Sequence, residues 1–175
     1  RSINIFVLGE AINPGMYTVS ALTTMTNAIF TSGGLRSTGS LRNIQLKRKG
    51  EVISTIDFYD LLLNGDTSGD ISLKEGDVVF IPSITKTVAI AGEVNRGQIF
   101  ELLEEEGIAD LIKYAGGLKP NADKTSLEIE RVNPESNSFK LINLNINSNS
   151  DIDLKNGDFI SVYPVASVMS NAILI

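Results

Sequence analysis

The chain has 175 residues, 42% of them hydrophobic, with a formal net charge of −6 and a pI near 4.7. That is enough apolar material for one ordinary domain or two small ones, and too acidic for bulk binding to nucleic acid, which needs cationic neutralisation of phosphates. There is no histidine and no cysteine, which removes Ser-His-Asp and Cys-His chemistry, imidazole bases, zinc knuckles and disulfides, and no apolar run approaches the ~20 residues of a membrane-spanning helix.

In chain order, Ile3, Ile5 and Val7 alternate with Asn4 and Phe6, a strand pattern. The turn Asn13-Pro14-Gly15 leads into a second strand from Met16, which predicts a hairpin. Leu22, Met25, Ala28 and Ile29 then form one helical stripe, capped by Thr23 or Thr24 and stopped by Gly33-Gly34. In the next strand Ile44, Leu46 and Arg48 share one face, and Gln45, Lys47 and Lys49 the other. A turn at "KGE" returns the chain as "VISTID"; "YDLLLNGD" reads as a short helical turn or loop. The phrase "LKEGD" (73–77) is a tight turn feeding the last strand, "VVFIP", with Pro82 at its exit, where no ladder N–H is needed. The order β-β-α-β-β-turn-β predicts an α+β fold, a mixed sheet with one helix across one face, and reads as a β-grasp.

The chain then says this again. "VLGEAINPGMY" from Val7 matches "IAGEVNRGQIF" from Ile90, "NAIFTSGGLR" from Asn27 matches "DLIKYAGGLK" from Asp110, and "IQLKR" from Ile44 matches "LEIER" from Leu127. "ISLKEGD" from Ile71 matches "IDLKNGD" from Ile152. The near-constant spacing is longer than solenoid periods of ~20–50 residues, so we read tandem domains at 1–84 and 85–166. In the second helix Ile108, Leu111, Ile112 and Ala115 repeat the apolar stripe. Residues 167–175 form a tail. Its "NAILI" resembles "KTVAI" from Lys86 and reads as the first strand of a truncated third repeat, with a plain apolar tail as the alternative. A start at Arg1 reads as an excised fragment or a mature chain. In the repeated Gly-Asp, Gly76 and Gly157 supply the turn corner, and Asp77 and Asp158 are expected to accept bonds from nearby backbone N–H groups.

The blocks "GEAINPGMY", "AIFTSGGL" and "LKEGDVVFIP", with their second copies, resemble the SLBB (soluble ligand-binding β-grasp) domain over nearly the whole chain. Tandem SLBB domains resemble the periplasmic part of Wza-type outer-membrane polysaccharide export proteins. The second copy departs from the pattern at "NRG" (95–97), which lacks the proline and is one residue shorter, so that turn is expected to be looser or differently shaped. The resemblance implies a ring-forming, non-enzymatic component of capsular or exopolysaccharide export. It further implies a periplasmic location for this part, with the parent protein at the outer membrane, and polysaccharide, further copies of the protein and an inner-membrane polysaccharide co-polymerase or tyrosine kinase as partners. It implies no cofactor and no membrane contact by this fragment. The rival reading is the same fold holding a small molecule or oligosaccharide, with no transport role.

No catalytic or metal-ligating constellation is read. The Glu104–Glu106 cluster sits at a helix start, where consecutive residues point in different directions and negative charge suits the dipole. "DTSGD" (66–70) and "NSNSDID" (147–153) are oxygen-rich but lack the spaced ligands of a calcium loop. Tyr17, Tyr59, Tyr114 and Tyr163 are read as core or rim, since 6% aromatics is poor for a glycan groove. The stronger lead is charge. Up to Ser83 the chain carries seven basic and eight acidic residues, and beyond it eight and thirteen. Outward Gln45 and Lys47 correspond to Glu128 and Glu130, and copy one adds Arg42, Arg48 and Lys49. These residues are the candidate contacts to a neighbouring protomer or an acidic glycan, with a plain solvated strand face as the alternative. On this reading, reversing Lys47, Arg48 and Lys49 together abolishes assembly or glycan retention.

Overall fold

The alternation at the start of the chain builds β1 (Ser2–Gly9), which buries Ile3, Ile5 and Val7 on one side. The structure, a computed structural model, describes residues 1–148 and 152–166. The "NPG" turn returns the chain as β2 (Gly15–Ser20), antiparallel to β1 from Val7–Gly15 to Ser2–Ser20. Helix α1 (Met25–Thr31) begins at Thr24, whose side chain accepts from the Asn27 N–H while the Asn27 side chain accepts from the Thr24 N–H. This capping box satisfies two orphan donors at once. Met25, Ala28 and Ile29 face the core. Leu22, expected on the same stripe, is 84% exposed, because a turn from Ser20 to Thr23 places it before the helix. The helix stops where the Gly34 N–H donates to the Ile29 carbonyl and the Gly33 N–H to that of Phe30, a Schellman-type closure.

Next come β3 (Ile44–Arg48) and β4 (Glu51–Ile56), joined by Lys49-Gly50 with φ of 51° and 85°. Two positive φ values in a two-residue loop match the right-handed twist of a hairpin. The stretch expected as a helical turn or loop is α2 (Phe58–Asn64), capped by the Asp57 side chain and closed by left-handed Gly65. The last strand, β5 (Val78–Ile81), slots between β1 and β3, giving the order β2-β1-β5-β3-β4. β1 and β5 run parallel and the other pairs are antiparallel, so the sheet is mixed.

The second half repeats this with β6 (Thr87–Gly92), β7 (Gln98–Glu101), α3 (Ile108–Tyr114), β8 (Ala122–Asn133), β9 (Ser138–Leu144) and β10 (Phe159–Pro164). Its order, β7-β6-β10-β8-β9, is the same, with β6 and β10 parallel. The chain therefore divides into two compact units, between Thr85 and Lys86, each an α+β sheet with a helix against one face. The tail, 167–175, read as the first strand of a truncated third repeat, lies outside the described residues. Two differences separate the copies. The β8–β9 hairpin is longer than β3–β4, and among the described residues no helix stands between β9 and β10 where the first unit has α2. The "NRG" turn keeps the register of the first copy, with Ile90 facing Gln98 as Val7 faces Gly15, so it is not shorter; β7 has four residues against six in β2 because it ends sooner, at Glu101.

The repeated Gly-Glu now has a cause. Gly9 and Gly92 have φ of +83° and +99°, and a Cβ built on either lies 2.1 Å from a carbonyl oxygen, of Ile81 or Val162 respectively. Each glycine lets the first strand of its unit press against the last, and the next N–H, of Glu10 or Glu93, donates to that same carbonyl. Gly9→Ala and Gly92→Ala should therefore each cost at least ~2 kcal/mol. In calorimetry of the full chain this should appear as a fall of about 10 °C or more in one of two transitions. A melting profile identical to wild type would contradict the close approach.

Candidate functional site

Strand β3 alternates as the sequence pattern requires, with Ile44 and Leu46 fully buried against the helix side. Arg48 follows them on that side and lies across the "LKEGD" turn. Its Nε and Nη2 donate to the two oxygens of Asp77, both at 2.8 Å. The Asp77 side chain is fully buried and also accepts from the Lys74 N–H at 2.8 Å. The second unit has the same arrangement. Arg131 donates to both oxygens of Asp158 at 2.9 and 2.7 Å, the Lys155 N–H donates to that carboxylate at 2.8 Å, and Arg131 Nη2 also reaches the Asp153 carbonyl. The backbone-to-carboxylate bond was expected from sequence. The arginine was not, although its signal was present, since both arginine and aspartate recur one repeat length apart.

Two of the candidate contact residues are engaged in ion pairs within the first unit. Arg48 is committed to a buried carboxylate. Arg42 is more deeply held: its side chain is 3% exposed, it donates from Nε and Nη2 to Asp57 at 2.9–3.2 Å, and its guanidinium lies 4.5 Å from the Tyr59 ring centre. Asp57 in turn caps α2 through the Tyr59 N–H. Removing either arginine leaves a largely buried carboxylate without its partner, so both side chains have internal work in the first unit. A triple reversal that includes Arg48 would break the first unit before it tested any surface.

The remaining four candidates lie at the surface. Lys49 sits exposed in the β3–β4 turn. Lys47 pairs with Val78 and Val52 across the sheet, and its ammonium lies 4.5 Å from the Phe80 ring centre. Glu130 occupies the matching place, paired with Phe159 and Leu141. Glu128 pairs with Ser161 and accepts from the Tyr163 hydroxyl at 3.2 Å, whereas its counterpart Gln45 pairs with Phe80. Among the described residues neither Lys47 nor Glu130 forms an ion pair.

Other polar features have internal work. Glu10, of the repeated Gly-Glu, accepts from the Thr38 hydroxyl at 2.5 Å and more weakly from Ser83, and the Thr38 bond chiefly holds its carboxyl below the usual range. In the "DTSGD" loop Asp66 accepts from the Ser68 N–H and Asp70 from the Thr26 N–H. Residues 149–151 of the other oxygen-rich loop lie outside the described residues. Glu106 accepts from the Leu103 N–H and the Tyr114 hydroxyl, and Asp110 accepts from the Gly107 N–H at the start of α3. Tyr17 packs on the core and donates to the Asn13 carbonyl.

Comparison with known proteins adds the following. An SLBB domain model matches residues 4–81, and a second SLBB domain model matches residues 87–140. Two curated Escherichia coli sequences, each named polysialic acid transport protein KpsD, are 28% identical to the chain over 133 residues. The match covers 75% of this chain and 23% of each relative, so the chain spans about a quarter of the length of the curated relatives it matches.

Burial pushes the Asp77 carboxyl up, but the Arg48 hydrogen bonds and the Lys74 N–H outweigh it and hold the group below the usual carboxylate value. A carboxyl whose folded value is depressed stabilises the fold fully above its unfolded value near ~3.9, and that contribution is lost as pH falls through the lower folded value. The first unit should thus lose stability below about pH 4. Asp77→Asn should cost about 3 kcal/mol at neutral pH and flatten that acid limb, with the second unit's transition unmoved. Thermal melts across the acid range check both, and an acid limb as steep as wild type would remove Asp77 as its source.

Proposed function

Since the chain belongs to the SLBB domain family, with one such domain in each half, we propose that it is the periplasmic portion of a capsular or exopolysaccharide export protein. Its role there is structural: it builds part of a ring through which polymer passes, and it transforms no substrate. The observation that carries this reading is the extent of the likeness to KpsD. At 133 residues it exceeds either unit and so runs through both.

Two physical features support it. The residues that recur between copies, Gly9/Gly92, Arg48/Arg131 and Asp77/Asp158, all serve internal bonds and close approaches, as suits a module used as a building block. The surface residues at matching places differ, as in Lys47 against Glu130, and subunits joined head to tail need two different complementary surfaces. The partners under this reading are the exported polysaccharide, further copies of the parent protein and an inner-membrane polysaccharide co-polymerase or tyrosine kinase, with the parent protein at the outer membrane.

An in-frame deletion of residues 1–166 from the parent gene in its host bacterium tests the reading. Surface polysaccharide should fall to background while polymer accumulates inside the cell envelope, measured by fractionation and carbohydrate assay. Normal surface polysaccharide would overturn it.

A further inference from the structure

In each unit the helix covers one face of the sheet, and the opposite face carries the half-exposed side chains. The strand registers define one continuous row across that open face. In the first unit the row is Met16–Phe6–Val78–Lys47–Val52, one residue from each of the five strands. In the second unit it is Ile99–Ala89–Phe159–Glu130–Leu141. Both rows hold four apolar residues and a single charge. The charge stands on the fourth strand in each case, and its sign is opposite.

Apolar side chains at either end of these rows are well exposed: Met16 at 64%, Val52 at 54%, Ile99 at 68% and Leu141 at 61%. A row of this kind across an open sheet face suits sheet-on-sheet packing, in which two faces interdigitate ~10 Å apart. Turning one sheet over about the axis of its row preserves the row order, so the fourth position of one row meets the fourth of the other. Apolar residues then meet apolar residues, and Lys47 meets Glu130.

We propose that the open sheet face of the first unit, centred on Lys47, docks against the open face of the second unit, centred on Glu130, in another copy of this chain. Self-pairing of either face would set like charges opposite each other, which costs several kcal/mol at an interface. Pairing between unlike faces is therefore preferred, and it leaves one face of each kind free to continue the assembly. The contact assigns a surface to the self-assembly proposed above and rests on that reading only for its part in export. Five strands at ~4.8 Å spacing and about six residues of length give roughly 400 Å² per partner. That is half of a standard ~800 Å² surface, so a single contact is weak and needs concentrated protein to be seen.

Sedimentation equilibrium of the full chain at high concentration and low salt tests this without any polysaccharide present. Wild type should self-associate. Lys47→Glu and Glu130→Lys should each weaken association at least about tenfold, and the double exchange K47E/E130K should restore it close to wild type. Because the chain has no cysteine, Lys47→Cys and Glu130→Cys chains should, when mixed under oxidising conditions, form a mixed disulfide dimer in excess of either homodimer. A monomeric wild type, or a double exchange as weak as the single variants, overturns the proposal. So does loss of anionic-polysaccharide retention in Lys47→Glu with association unchanged, which would make the row a glycan face. None of these outcomes depends on the deletion phenotype, so a failed export assay and a failed contact are told apart.

Discussion

The buried carboxylate at the "LKxGD" turn is the constraint on which each unit depends. Asp77 is fully buried, and a buried charge is tolerated only when paired and hydrogen-bonded. Its partners come from two places in the chain: the Lys74 N–H within its own turn, and Arg48 at the end of β3. Its own carbonyl accepts from the Phe6 N–H on β1. One residue therefore ties the start of β5 to both strands that flank it, and the order β1-β5-β3 follows. Replacing a buried ion pair by apolar side chains of like volume commonly leaves a fold as stable. What the pair adds is specificity, because only one strand placement satisfies both oxygens. Asp158, Arg131 and Lys155 repeat the arrangement.

Around this tie the other recurring residues complete a closed inner set. Gly9 and Gly92 allow the first strand to meet the last at sub-van-der-Waals distance for any side chain. The paired glycines after each helix return the chain to the first hairpin, where the Ile12 N–H donates to the Gly34 carbonyl and the Asn95 N–H to that of Gly117. These bonds face inward or run along the backbone, so they repeat without regard to what lies outside. The outward faces are under no such restriction. Among the described residues they differ in charge, in the length of the second hairpin and in the presence of α2.

Period-two and helical alternation decided from sequence alone which side chains of β1, β3 and the two helices face inward, since alternation is a local property of the chain. Ile3, Ile5, Val7, Met25, Ile29, Leu111 and Ile129 are buried as their patterns require. The caps were legible for the same reason, because a threonine before a helix and glycines after it act on neighbouring backbone. Leu22 was misplaced by one turn, a boundary error of the kind a short turn produces.

The sequence by itself determined two α+β units of one design, their helix ends, and the recurrence of a glycine-aspartate turn. Beyond the hairpins, only the tertiary structure decided which strands are neighbours. Phe6, Val78 and Lys47 are far apart in the chain and become one row because β5 enters between β1 and β3. The same placement sets the half-buried Arg48 against the buried carboxylate of Asp77 and leaves Lys47 on the opposite face of the sheet. Alternation says which face a residue takes, whereas its neighbours on that face are set by hydrogen bonds between strands distant in sequence, and no local pattern carries that information.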